Sequence, residues 1–114
     1  METKINEIKI EVKTSSLDVN NKFQNEHIKD TSDCDYICFI GIAPNAIFMR
    51  LENIKEIDFS KLHNRGHRGT GAGYKCDFKS SQMQEVKTRE EVVSLFYNKM
   101  RLDKDSIKKI LKNK

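Results

Sequence analysis

The sequence predicts an α/β fold: a small mixed β-sheet with flanking helices, in a single domain over residues 1–114. Three observations predict it. Residues 5–13 alternate apolar and polar side chains with a period of two. Residues 36–42 form a near-continuous apolar run, the pattern of a strand buried on both faces. Thr88 and Glu91 make a capping-box pattern ahead of apolar residues at helical spacing.

Taken in order, Ile8, Ile10 and Val12 fall on one face of the first strand, and Lys9, Glu11 and Lys13 on the other. Asn6-Glu7 predicts a turn joining it to a short strand at residues 2–5. Residues 14–34 are rich in Ser, Asn and Asp, and Leu17, Val19, Phe23 and Ile28 are their apolar anchors. That composition predicts a loop holding one short helix. After the 36–42 strand, Ala43-Pro44-Asn45-Ala46 supplies turn residues, and 46–51 reads as the returning strand of a hairpin. A helical turn is expected within 53–62, a loop over 63–73, and a strand at Tyr74–Phe78. The helix over 89–101 would turn Val92, Leu95, Phe96 and Met100 inward. A second helix through about Leu111 would carry Lys108, Lys109 and Lys112 in its last turn, where cations suit the helix dipole.

Composition narrows the function classes. Lys plus Arg is 21 against 17 Asp plus Glu, a net charge of +4, which permits a polyanionic partner. No apolar run approaches the roughly 18–20 residues of a membrane span, and no apolar stretch follows Met1 as a signal peptide would require. Three cysteines leave a remainder if paired, so a reduced, cytoplasmic protein is expected.

Glu11 and Lys13 stand two apart, so one strand places both on one face, Cα atoms roughly 6.5–7 Å apart. Phosphodiester hydrolysis uses such a pair. A carboxylate can hold Mg²⁺, which neutralises phosphate charge and acidifies a bound water. An ammonium can orient that water or stabilise developing charge. A solvated strand face with alternating charge accounts for the same tripeptide.

The wider context adds to this pair. The stretches 8–17, 22–28 and 35–44 contain Glu-Val-Lys-Thr-Ser, then Phe-Gln-x-x-x-Ile, then an apolar Asp-Tyr strand closing in Gly-Ile-Ala-Pro. Together they resemble type II restriction endonucleases of the PD-(D/E)XK superfamily, over residues 5–51 and more loosely as far as Tyr74. The resemblance implies a restriction-endonuclease-like core and Mg²⁺-dependent cleavage of double-stranded DNA. It implies Glu11 as the metal-binding acid, Lys13 as the catalytic lysine, and Val12 as the donor of a carbonyl to the metal. It also implies a metal-activated water as nucleophile and a homodimer that cuts both strands.

The family also has an acid, usually in a Pro-Asp pair, on the preceding strand. Here only Glu2 and Glu7 precede Glu11, and Glu2 has the workable spacing across a short hairpin. Either Glu2 serves as that metal-binding and catalytic acid, or the chain is a C-terminal remnant of the nuclease fold. The alternatives are therefore a non-catalytic DNA-binding remnant and a small protein-interaction domain.

Residues 63–75 concentrate Arg65, His67, Arg68 and Lys75 among glycines. Glycine lets backbone N–H groups approach phosphate, and Arg can bind phosphate or the guanine edge, so these four are the expected DNA contacts. The loop lacks the Gly-Lys-Ser/Thr ending of a phosphate-binding P-loop, and its Gly69-x-Gly71-x-Gly73 spacing is no dinucleotide fingerprint. Cys34, Cys38 and Cys76 with His63 and His67 could be imagined as a zinc site, but Cys38 lies inside the apolar strand, where cysteine packs as a small hydrophobe. Glu26 and His27 follow the Phe-Gln pair as further candidates near metal or DNA, or as polar surface.

Overall fold

The computed structural model describes residues 2–5, 8–28, 33–61, 63–64 and 74–101. In chain order the elements are β1 (Glu2–Ile5), β2 (Ile8–Ser16), β3 (Lys22–Ile28), β4 (Tyr36–Ala43), β5 (Ala46–Asn53), β6 (His63–Asn64), β7 (Tyr74–Lys79), β8 (Gln84–Val86) and α1 (Arg89–Met100). Short 3-10 turns occupy Ile54–Glu56, Phe59–Lys61 and Ser80–Gln82.

Five strands form one mixed sheet in the order β1-β2-β4-β5-β8, and three form a second in the order β3-β7-β6. β1 is antiparallel to β2, β2 is parallel to β4, and β4 returns through Pro44 and Asn45 into antiparallel β5. Parallel neighbours need a long crossover. Here residues 17–35 supply it, and they deposit β3 in the other sheet on the way.

β4 explains the layering. Its alternate residues face opposite ways, and both faces are apolar. Cys38, with Tyr36 and Ile40 beside it, joins Ile10, Met49, Leu51 and Val86 under Val93, Phe96 and Met100 of α1. Ile37 and Phe39 turn the other way, into a core with Ile28, Cys34, Cys76 and Phe78. The described residues thus form three layers: helix, five-stranded sheet, three-stranded sheet. A helix covers one face of the main sheet, as expected, but a second sheet covers the other.

α1 begins at Thr88, whose hydroxyl accepts the Glu91 N–H at 3.2 Å. The Glu91 carboxylate accepts the Lys87 N–H at 3.2 Å, one residue upstream of a standard box. Phe96 and Met100 point inward as expected. The third inward residue is Val93; Val92 and Leu95 are half-buried at the rim of the same core.

The 14–34 region differs from expectation. Residues 14–16 finish β2, where Thr14 pairs with Ile40 of β4, and 22–28 are strand rather than loop or helix. The physical reason for the missed strand lies in β3. Phe23 and Ile28 are both fully buried, yet they stand five apart, an odd spacing that breaks a period of two. A register shift between Asn25 and Ile28 restores the inward direction. Asn25, itself buried, closes the irregularity by donating to the carbonyls of Phe23 and Cys76 at 3.3 and 3.1 Å.

Val19, expected as an anchor, is 97% exposed in the turn between β2 and β3. That turn is held by Asp18, whose Oδ1 accepts the N–H groups of Asn20 and Lys22 at 2.8 Å each. Gln24 donates to its other oxygen, and this bond, with that from Lys22, holds the Asp18 carboxyl below its usual value.

The 36–51 hairpin, the helical turns within 53–62, the strand from Tyr74 and the 89–101 helix all occur. β6 and β8 are additions. The Asn6-Glu7 turn, most of the 63–73 loop and the second helix lie outside the described residues. No described helix is long and apolar enough to cross a membrane.

Candidate active site

Alternation along β2 sorts its side chains between the layers. Ile10 is fully buried towards α1, with Ile8 and Val12 packed beside it. Glu11, Lys13 and Ser15 take the opposite face, the one towards the three-stranded sheet. Glu11 and Lys13 meet there: Lys13 Nζ is 3.3 Å from Glu11 Oε1, and the Lys13 and Glu11 side chains are 23% and 29% exposed. The second carboxylate oxygen, Oε2, lies 4.0 Å from the buried Cys34 thiol. Backbone register puts Glu2 of β1 directly opposite Glu11. Opposed positions of an antiparallel pair share a face of the sheet.

The position of the pair within the sheet matters as much. β1 pairs with β2 only from Ile8 to Glu11. From Val12 onwards the side of β2 away from β4 has no ladder partner among the described residues until Leu17 bridges Phe23. Within the Glu-x-Lys segment, Glu11 is paired with described residues on both sides, Glu2 of β1 and Ile37 of β4.

The same face continues across the sheet. Glu11 is followed by Ile37 and then Glu52, and Lys13 by Phe39 and then Arg50. Arg50 Nε donates to Glu52 Oε1 at 2.6 Å, a terminal nitrogen donates to the Gln82 carbonyl at 2.7 Å, and the guanidinium lies 4.6 Å over the Phe78 ring. These two residues satisfy each other and secure the sheets. They were not singled out from the sequence, although a two-residue turn at 44–45 sets the register that places Glu52 two strands from Glu11.

Of the expected DNA contacts, Arg65, His67 and Arg68 lie outside the described residues. Lys75 is on β7, paired with Asp77 at 3.1 Å. It alternates with the inward Cys76 and Phe78, so it faces away from Glu11 and Lys13, and the structure does not bring it to them. Glu26 and His27 fall within β3.

Among the described residues, no three His, Cys, Asp or Glu side chains gather to hold a metal ion. The zinc idea meets a further obstacle: Cys38 lies in the helix-side core, with Cys34 and Cys76 on the other side of the sheet. Burial pushes the Cys76 thiol up to about 11. Magnesium asks less of the protein, since one or two carboxylates and the substrate phosphate commonly hold it. The hard oxygens of Glu11, partly exposed at the end of the described edge strand, fit that requirement. Compared with protein-family models, curated proteins and solved structures, the chain finds no match in any of the three.

Proposed function

We propose that this chain is a Mg²⁺-dependent endonuclease acting on double-stranded DNA, of the restriction-enzyme type, and that β1, β2 and β4 form its restriction-endonuclease-like core. The observation that carries the reading is the Glu11–Lys13 pair, with Lys13 Nζ 3.3 Å from Glu11 Oε1 on one face of β2 and Glu2 in register opposite Glu11. Glu11 would hold the metal, with the Val12 carbonyl and Glu2 as further oxygen donors. The metal would supply charge neutralisation at the phosphate and a more acidic water. Lys13 is the residue that orients that water or meets the developing charge. Arg65, His67, Arg68 and Lys75 are the proposed DNA contacts, to phosphate or to a guanine edge.

A plasmid-nicking assay with Mg²⁺ tests this, run beside the Glu11→Ala/Lys13→Ala double variant. Nicking by the natural chain is expected, with loss on chelation and loss in the variant. Nicking that survives in the variant overturns the assignment. Salt-sensitive DNA binding without nicking points to a non-catalytic DNA-binding remnant, because phosphate contacts weaken as salt rises. Neither nicking nor binding leaves a protein-interaction domain.

A further inference from the structure

β2 carries a third polar side chain on the face of Glu11 and Lys13. Ser15 stands two residues beyond Lys13, in register with Gly41 of β4, which in turn pairs with Phe48 of β5. Its surroundings are aromatic: the Phe23 ring lies over Gly41 and is 5.8 Å from Phe48. The Ser15 hydroxyl is buried there and has no hydrogen-bond partner among the described residues. A buried hydroxyl left unpaired is destabilising, and native proteins keep few of them.

Lys13 presents the complementary situation. Its ammonium has three donors, and Glu11 is its ion-pair partner. A carboxylate shared with a divalent cation is a poorer acceptor for that ammonium, because the cation draws on the same oxygens. On this face of β2, Lys13 has Glu11 as its neighbour on one side and Ser15 on the other.

We infer that Ser15 is a positioning residue: with Glu11 committed to metal, the Lys13 ammonium turns along β2 and donates to Ser15 Oγ. This rests on the nuclease reading above. Anchored at one N–H, Lys13 keeps two for the attacking water and a phosphate oxygen, and its reach no longer depends on the carboxylate it has released.

The test is side-chain NMR on the full chain, following Glu11 Cδ and the Lys13 ammonium as Mg²⁺ alone is added. In the natural chain and in Ser15→Thr, both signals should respond over one concentration range, and the Lys13 ammonium protons should exchange more slowly with water. In Ser15→Ala the Glu11 response should remain and the slowing at Lys13 be lost. Ser15→Cys, close in size but a weak acceptor, should match Ser15→Ala and serves if the alanine variant does not fold. A Lys13 response in these variants equal to that of the natural chain overturns the inference alone. No Glu11 response to Mg²⁺ in the natural chain overturns the nuclease reading and the inference with it.

Discussion

The two faces of the five-stranded sheet are built by different rules. Towards α1, the buried residues are Ile10, Cys38, Met49, Leu51, Val86, Val93, Phe96 and Met100, with no charged side chain among them. Towards the three-stranded sheet, aromatic rings alternate with ions: Phe39 meets Phe78 edge-on at 4.9 Å, while Arg50 and Glu52 pair beside them and Glu11 and Lys13 pair further along. Two buried polar atoms left without partners among the described residues, on Ser15 of β2 and Asn25 of β3, lie on this side, and neither joins the helix-side core. One face provides stability at little polar cost. The other accepts a polar cost, as the proposed site would require.

Substitutions can break this contrast. The largest effect is expected at Phe96→Ala, about 3–5 kcal/mol in urea unfolding, since the ring is buried under α1 and leaves a cavity. DNA cleavage by the fraction still folded should persist. Next comes Gly41→Ala. A methyl there would stand 2.7 Å from the Phe23 ring, so the sheets must separate, at about 1–3 kcal/mol. Adding Phe23→Leu should recover part of that loss, which the same unfolding curves would show. Thr88→Ala should cost about 1 kcal/mol through the lost helix cap. Lys13→Ala should cost about 1 kcal/mol, less than loss of a buried pair because water still reaches the Glu11 carboxylate it leaves behind, while removing cleavage. A Lys13→Ala loss as large as that at Phe96 would erase the contrast between stabilising and working faces.

The smallest effect is expected at the turn that leads from β2 into the second sheet. Asp18 is held below its ordinary value when folded, chiefly by the Gln24 side chain and the Lys22 N–H. Its stabilising effect is therefore present above the unfolded value and is lost as pH falls through the folded one. Asp18→Asn should flatten the acid limb of a stability–pH curve and leave the curve's neutral region nearly in place.

Much of the helix-side layer was legible in the sequence. Period two at Ile8, Ile10 and Val12, the apolar run of β4, the turn at Pro44 and the cap at Thr88 all act locally, over a few residues. The opposite layer was less legible because its order is non-local. β3 shows two apolar residues at an odd spacing, and only pairing with β7 and the irregularity after Asn25 turn both inward. β8 offers three residues with Val86 alone buried, too little pattern for a strand to be read. The site divided in the same way. Glu11 and Lys13 were visible as a spacing within one strand, and Glu2 as a hairpin distance. Ser15 looked like an ordinary strand end, and Phe23, which lies over its register partner Gly41, arrives from another sheet.

The crossover between β2 and β4 carries a consequence for the order of assembly. β4 and β5 meet through a tight turn and can zip early, whereas β3 must wait for β7, whose Cys76 lies 51 residues beyond Asn25. Closing long loops is slow relative to local pairing, because the entropy is lost before the contacts form. The β4–β5 hairpin is thus expected to form before either core closes. The surface around Glu11, Lys13 and Ser15 waits for β3 to meet β7, so the proposed site is completed after the hairpin beside it.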